Sequence, residues 1–178
     1  MVEPNSARPG YLEGHRWNPL TTTPLGGRIL SAAQLPWFSL QPPRGFGVLT
    51  TLGRKTGKRR RKCVRAIREG TRVYVVALGG PQAAWVLNIR ANPRVSVRLH
   101  EGYFDGVARD LQDVAERAEA RTHYVSTVNR FDRMEFRMHR RGRPRSDRIR
   151  ALHAQWFDTG TPIVVELKLD IDSDAKFQ

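Results

Sequence analysis

Apolar and polar positions alternate in short runs through most of this chain, and those runs are the first guide to its elements. Residues 48–52 form a β-rich run, residues 63–67 alternate, and residues 73–78 are almost continuously apolar, which predicts three strands. Next, Ala84, Trp85, Asn88 and Ile89 fall at helical spacing and Asn92-Pro93 ends the turn, so a short helix interrupts the strands. Val95, Val97 and Leu99 alternate with Ser96, Arg98 and His100, Gly102 breaks the run, and Phe104, Val107 and Leu111 resume it as a hairpin. Residues 113–139 are poor in Pro and Gly and read as one or two helices. Ser146 is placed to cap a further helix with Ile149, Leu152 and Trp156 on one face and Gly160 at its end. A last strand over residues 162–169 turns Ile163, Val165, Leu167 and Leu169 inward.

Five to six mainly antiparallel strands with inserted and C-terminal helices make an α+β domain, a small closed or nearly closed barrel over residues 45–170. Without βαβ alternation a doubly wound sheet is not expected. Residues 1–44, rich in Pro, Gly and Thr, read as an irregular arm with one short amphipathic helix drawn from Leu25, Ile29, Leu30, Leu35, Trp37, Phe38 and Leu40. The arm can pack on the body, cover a site or touch a membrane surface. Residues 171–178 read as a tail.

Composition narrows the function. With 178 residues the chain accommodates one domain. Its single cysteine, Cys63, excludes an internal disulfide, and no Cys/His cluster has metal spacing, so no metal is expected. No run approaches the roughly 20 apolar residues of a spanning helix, and the N-terminus lacks signal-peptide order, so a soluble cytoplasmic chain is expected. The net charge of +14 favours anionic partners. It is concentrated in residues 54–72 and in nine arginines between Arg130 and Arg150. Either run could also be a solvated face.

The first run sits in "LTTLGRKTGKRRRK", residues 49–62. It is not a P-loop: Gly53 and Gly57 enclose three residues rather than four, Lys58 is followed by Arg59, and a strand follows where a helix is required. What remains is a tight strand-to-strand connection in which backbone N–H groups and the Thr56 hydroxyl lie beside Arg54, Lys55 and Arg60, with Gly57 permitting close approach. That donor set suits phosphate or carboxylate. A plain basic hairpin has the same pattern. The second run contains Arg141-Gly142-Arg143-Pro144-Arg145, the core of a minor-groove AT-hook, which keeps a DNA-binding alternative open beside that of a basic interhelical turn.

Taken together, G-R-K-[ST]-G-x-x-R at 53–60, "VVALGG", W-x-x-N-x-x-A-N-P at 85–93, "DGVARDL" and "TPIVVEL" closely resemble the deazaflavin-dependent nitroreductase and quinone reductase family, over residues 46–111 and 148–169. The resemblance implies a split β-barrel of the FMN-binding type and the deazaflavin coenzyme F420, whose lactyl phosphate and oligoglutamate tail are anionic. It implies that Arg54, Lys55, Thr56, Gly57 and Arg60 hold the phosphate. It further implies that Cys63 and Val64 pass beneath the ring, and that Ala77, Leu78, Gly79, Gly80, Ala84, Trp85 and Asn88 hold the rest of the cofactor. Trp85 could equally be core; Asn88, inward on the same helix, needs a polar partner.

The implied reaction is hydride transfer from the reduced deazaflavin to an electron-poor acceptor such as a quinone or nitroaromatic, in which the protein orients, excludes water and supplies a proton. Where the family places tyrosines, before its last strand, this chain has Tyr124 alone, with His123, His139 and His153. Tyr124 and His123 are the candidate donors, and surface placement is the alternative for His123 and His139. FMN or haem on the same fold, a homodimer through strand faces, and peripheral membrane contact complete the expectations.

Overall fold

The computed structural model describes residues 35–140 and 142–168. Six strands, β1 (Phe46–Leu52), β2 (Arg59–Glu69), β3 (Arg72–Ala77), β4 (Arg94–Leu99), β5 (Gly102–Asp110) and β6 (Thr161–Leu167), close into a barrel in the order β1-β2-β3-β6-β5-β4. Every neighbouring pair is antiparallel, and the β1–β4 pairing of Thr50 with Ser96 closes the ring. Among the described residues, residues 35–40 are helical ahead of β1, and after β3 come α1 (Ala84–Ala91) before β4, then α2 (Val114–Ser126), α3 (Arg130–His139) and α4 (Ser146–Thr159) between β5 and β6.

The pleat explains the near-continuous apolar run of β3. Val73 and Val75 point into the barrel with Leu49, Val97, Ile163 and Val165, whereas Tyr74 and Val76 point out beneath α2 and α4, against Ala120, Tyr124 and Phe157. β6 repeats the arrangement: Ile163 and Val165 are inside, and Val164 joins the outer layer. The barrel is sealed where β5 meets β6, because a Cβ on Gly106 would lie 2.5 Å from the Glu166 carbonyl oxygen and 2.9 Å from Val165 Cγ1. α1 closes one end by adding Val86 and Ile89 to the interior cluster.

Two expectations are corrected here. β2 begins at Arg59, so half of the basic run is strand rather than loop. Ser146 does not cap α4: the N-cap is Arg145, no side chain fills that role, and Ser146 is the first helical residue. A capping box instead starts α3, where the Asn129 carboxamide accepts from the Phe131 and Asp132 N–H groups and the Asp132 carboxylate accepts from the Asn129 N–H.

Of the arm, residues 35–40 are helical and lie on the outer face of β1 and β2, where Phe38 forms an edge-to-face aromatic group with Phe46 and Phe131. Arg61 donates to Ser39 Oγ and Arg98 to the Leu40 carbonyl. Residues 1–34 of the arm, including Leu25, Ile29 and Leu30, lie outside the described residues, as do Leu169, Arg141 and the tail.

Candidate functional site

The loop between β1 and β2 is short because Leu52 still pairs with Arg59. Within it the Gly53 N–H donates to the Lys58 carbonyl at 2.9 Å, the Thr56 and Gly57 N–H groups donate to the Gly53 carbonyl at 3.1 and 2.7 Å, and the Lys58 N–H donates to Thr56 Oγ1 at 3.4 Å. Gly57 has φ +65°, and a Cβ there would meet nothing, so glycine serves the backbone angle and not the space. The Arg54 N–H donates to Asn88 Oδ1 of α1 at 3.1 Å, and Asn88 Nδ2 donates to Thr51 Oγ1 at 3.2 Å.

These bonds correct the picture of a backbone cradle. The turn consumes its own amides, and among the described residues only the Lys55 N–H of the loop lacks an acceptor. What faces solvent is side-chain chemistry: Arg54, Lys55, Thr56, Lys58, Arg59 and Arg60 are all exposed. Some arginines elsewhere find acids, as Arg65, Arg72, Arg90, Arg109 and Arg121 do; the cations here, Arg54, Lys55, Lys58, Arg59 and Arg60, have no ion-pair partner among the described residues. A donor-only set of guanidinium, ammonium and hydroxyl groups, with no acid to compete, fits a phosphate carrying further carboxylates.

Strand direction brings a second wall to the same end of the barrel. β1 ends at Leu52 and β3, two strands over, at Ala77, after which Leu78 is half exposed and Gly79 and Gly80 lead into a 3-10 turn, Gly80–Gln82, and then α1. Arg90 holds this segment by a bidentate pair with Asp110, both contacts 2.9 Å, and a bond to the Pro81 carbonyl at 3.1 Å. Ala84 is exposed, and Trp85 is half-buried against the barrel core, so part of its ring is packing and part remains accessible.

Other residues named from the sequence lie elsewhere. Val64 and Ala77 are interior core. Cys63 faces the opposite way, against Phe38, Phe46 and Val48, and burial pushes its thiol up to about 11; neighbours on one strand cannot both line one ring face. Tyr124 is wholly buried under α4, with its hydroxyl raised by burial. His123 stacks on Tyr74 and sits 3.4 Å from Glu69. Glu69 ends β2, about 30 Å along the strand from Arg59. Neither side chain is at the cationic end. His139 packs edge-on against Trp156. Arg143 and Pro144 belong to the connection between α3 and α4, and Arg145 lies 3.6 Å from Asp147.

The sequence reading missed a buried polar centre. Arg65, assigned to a solvated basic run, is buried with Asp132 and His153. It donates to Asp132 Oδ1 at 2.8 Å, to the Tyr124 and Thr127 carbonyls at 3.0 and 2.7 Å, and contacts His153 Nδ1 at 3.1 Å. Because a guanidinium only donates, His153 Nδ1 is the acceptor and its proton sits on Nε2; burial and the Arg65 charge push this imidazole down to about 3. Burial also pushes Glu135 up to about 8, and its Oε2 is buried without a partner among the described residues. Ligand atoms of Asp132, Glu135 and His153 lie within 4.8 Å of one another. Arg65 already bonds Asp132 Oδ1 and His153 Nδ1 and places a buried positive charge among these groups, so the centre reads as an ion-pair hub. The legible signal was register: Arg65 shares its strand face with Ile67, which faces the helices.

Comparison with known proteins fits this geometry. Residues 40–142 match the model of the F420H2-dependent quinone reductase family. Among solved structures, an F420-H2 dependent reductase (FDR-A) is 22% identical, with 69% of this chain and 95% of that chain covered and a TM-score of 0.46. A structure described as a domain-swapped dimer is also 22% identical, covering 78% and 92% with a TM-score of 0.48. A heme binding protein from Mycobacterium smegmatis is 16% identical, covering 74% and 48% with a TM-score of 0.49. With the matched region spanning both the cationic loop and α1, the chain belongs to the F420H2-dependent quinone reductase family.

Proposed function

We propose that the Gly53–Lys58 loop and Arg60 hold the phosphate and carboxylates of coenzyme F420, and that the chain serves hydride transfer to a quinone or a similarly electron-poor acceptor such as a nitroaromatic. Bound there, the reduced deazaflavin supplies the hydride. The chain's own part is to bind and orient: Lys55, Arg54 and Arg60 offer charge-assisted hydrogen bonds, Thr56 a hydroxyl donor, and Leu78, Gly79, Gly80, Ala84 and Trp85 an apolar wall that displaces water beside the reacting ring. With Tyr124 and His123 remote, no side chain is assigned as proton donor.

The carrying observation is a loop of cations that, among the described residues, have no acidic partner, inside the family-matched region. The test is a parallel titration of the full chain with oxidised F420, FMN and haem, followed by quinone-dependent oxidation of F420H2. Tight binding of F420 alone, with turnover, is the expected result; preference for FMN or haem overturns the reading.

Two finer features belong to the same proposal. Trp37 and Leu40, 71% and 76% exposed, stand beside Arg61 and Arg98 and could meet an anionic lipid surface, where a lipophilic quinone is reached; failure to float with anionic vesicles would remove this element. Tyr103 and Val107 on the outer face of β5 are exposed where a second copy could pair, which sedimentation tests. No helix of the described residues is long and apolar enough to cross a membrane.

A further inference from the structure

We propose that Asn88 is a positioning residue for anion capture: from α1 it holds the Arg54 N–H, so that the cationic loop keeps one shape and one spacing from the wall carrying Trp85. This inference rests on the functional reading above for its ligand but not for its geometry.

The resemblance placed Asn88 among the cofactor contacts, and the structure gives it other work. The residue is 6% exposed, and both ends of its carboxamide are engaged inside the protein, Oδ1 by Arg54 N–H at 3.1 Å and Nδ2 on Thr51 Oγ1 at 3.2 Å. The other loop amides that bond do so within the loop, from Gly53, Thr56, Gly57 and Lys58; Arg54 alone is tied to another element, 34 residues away. Trp85 stands three positions earlier on the same helix, so both residues share a face. One short helix therefore sets the accessible wall and fixes the loop that bears the charge.

The residue type follows from the task. A buried acceptor is needed for the Arg54 N–H and a donor for Thr51, which a carboxamide supplies without charge. A carboxylate there would place a negative charge beneath the anion site. Without the tether the loop's shape would have to be fixed by the ligand itself, at a cost in ordering entropy on binding.

The first test uses amide exchange in the isotope-labelled full chain without ligand. Arg54 and Lys55 are adjacent and both exposed, yet only Arg54 has an acceptor, so its amide should exchange at least about tenfold more slowly. Equal rates overturn the proposal without any mutant. Asn88→Ala should bring Arg54 to the Lys55 rate and weaken oxidised F420 binding about tenfold, about 1.4 kcal/mol. Thr51→Val should leave Arg54 protected. In a Lys55→Ala background the Asn88→Ala penalty should shrink; full additivity would mean that Asn88 acts by its own contact and overturns the positioning role. A fall in melting temperature with Arg54 exchange and affinity unchanged also overturns it. Pyrophosphate, followed by the shifts of the Lys55 and Thr56 amides, separates this inference from the cofactor assignment. If pyrophosphate shows the Asn88 dependence while F420 does not bind, the tether stands and the cofactor reading falls.

Discussion

Replacing Glu135 with glutamine should stabilise the protein, increasingly so as pH rises from about 4.5 to about 8. Burial, opposed by the Arg65 guanidinium and reinforced by the Asp132 carboxylate, pushes the Glu135 carboxyl from 4.5 up to about 8. Between those values the unfolded chain has released this proton while the folded chain keeps it, so the unfolded state binds fewer protons and stability falls with rising pH. At about 1.4 kcal/mol per pH unit the accumulated loss reaches at most about 5 kcal/mol at pH 8. Relaxation and water entry reduce that figure, and a gain of at least about 2 kcal/mol at pH 8 is expected, or roughly 4–8 °C in Tm for a chain of this size. Below pH 4.5 the two proteins should converge, because both then bury a neutral group. Urea unfolding of wild type and Glu135→Gln across pH 4–8.5 reads the difference directly. Two parallel curves would refute the assignment of a neutral Glu135 carboxyl.

Two further variants probe the hub and the barrel seam. Asp132→Ala leaves the buried Arg65 guanidinium without its carboxylate and removes half of the capping box of α3, and should cost about 3–5 kcal/mol by denaturant midpoint. Gly106→Ala drives a methyl into the Glu166 carbonyl and should cost about 1–3 kcal/mol or more in the same assay, with exchange protection lost first along the β5–β6 pairing.

Strand identity was legible because period-two alternation and the double burial of β3 are local properties. So was the cationic loop between β1 and β2, since glycine and cation spacing at 53–60 is a chain-local pattern. Pairings at long separation were not legible. Arg65 reads as one more cation in a basic run until the barrel turns its face toward α2, α3 and α4, where Asp132 lies 67 residues away. Asn88 reads as an inward polar residue seeking a ligand, and its partners turn out to be Thr51 and Arg54. Tyr124 and His123 are candidates by residue type and by lying where the resembled family places tyrosines, but helix packing puts them beneath Phe157 and beside Glu69, remote from the cations. The backbone cradle failed for a related reason: a turn this tight closes with its own amides.

The claim on which the account depends is that exposed cations of the β1–β2 loop grip the anionic arm of F420. Titration of oxidised F420 against wild type and Lys55→Ala at one fixed ionic strength tests it most directly. Matched melting temperatures and an affinity weakened by about 1–3 kcal/mol, the range for a lost charge-assisted hydrogen bond, are expected. Equal affinity of the two proteins would contradict it.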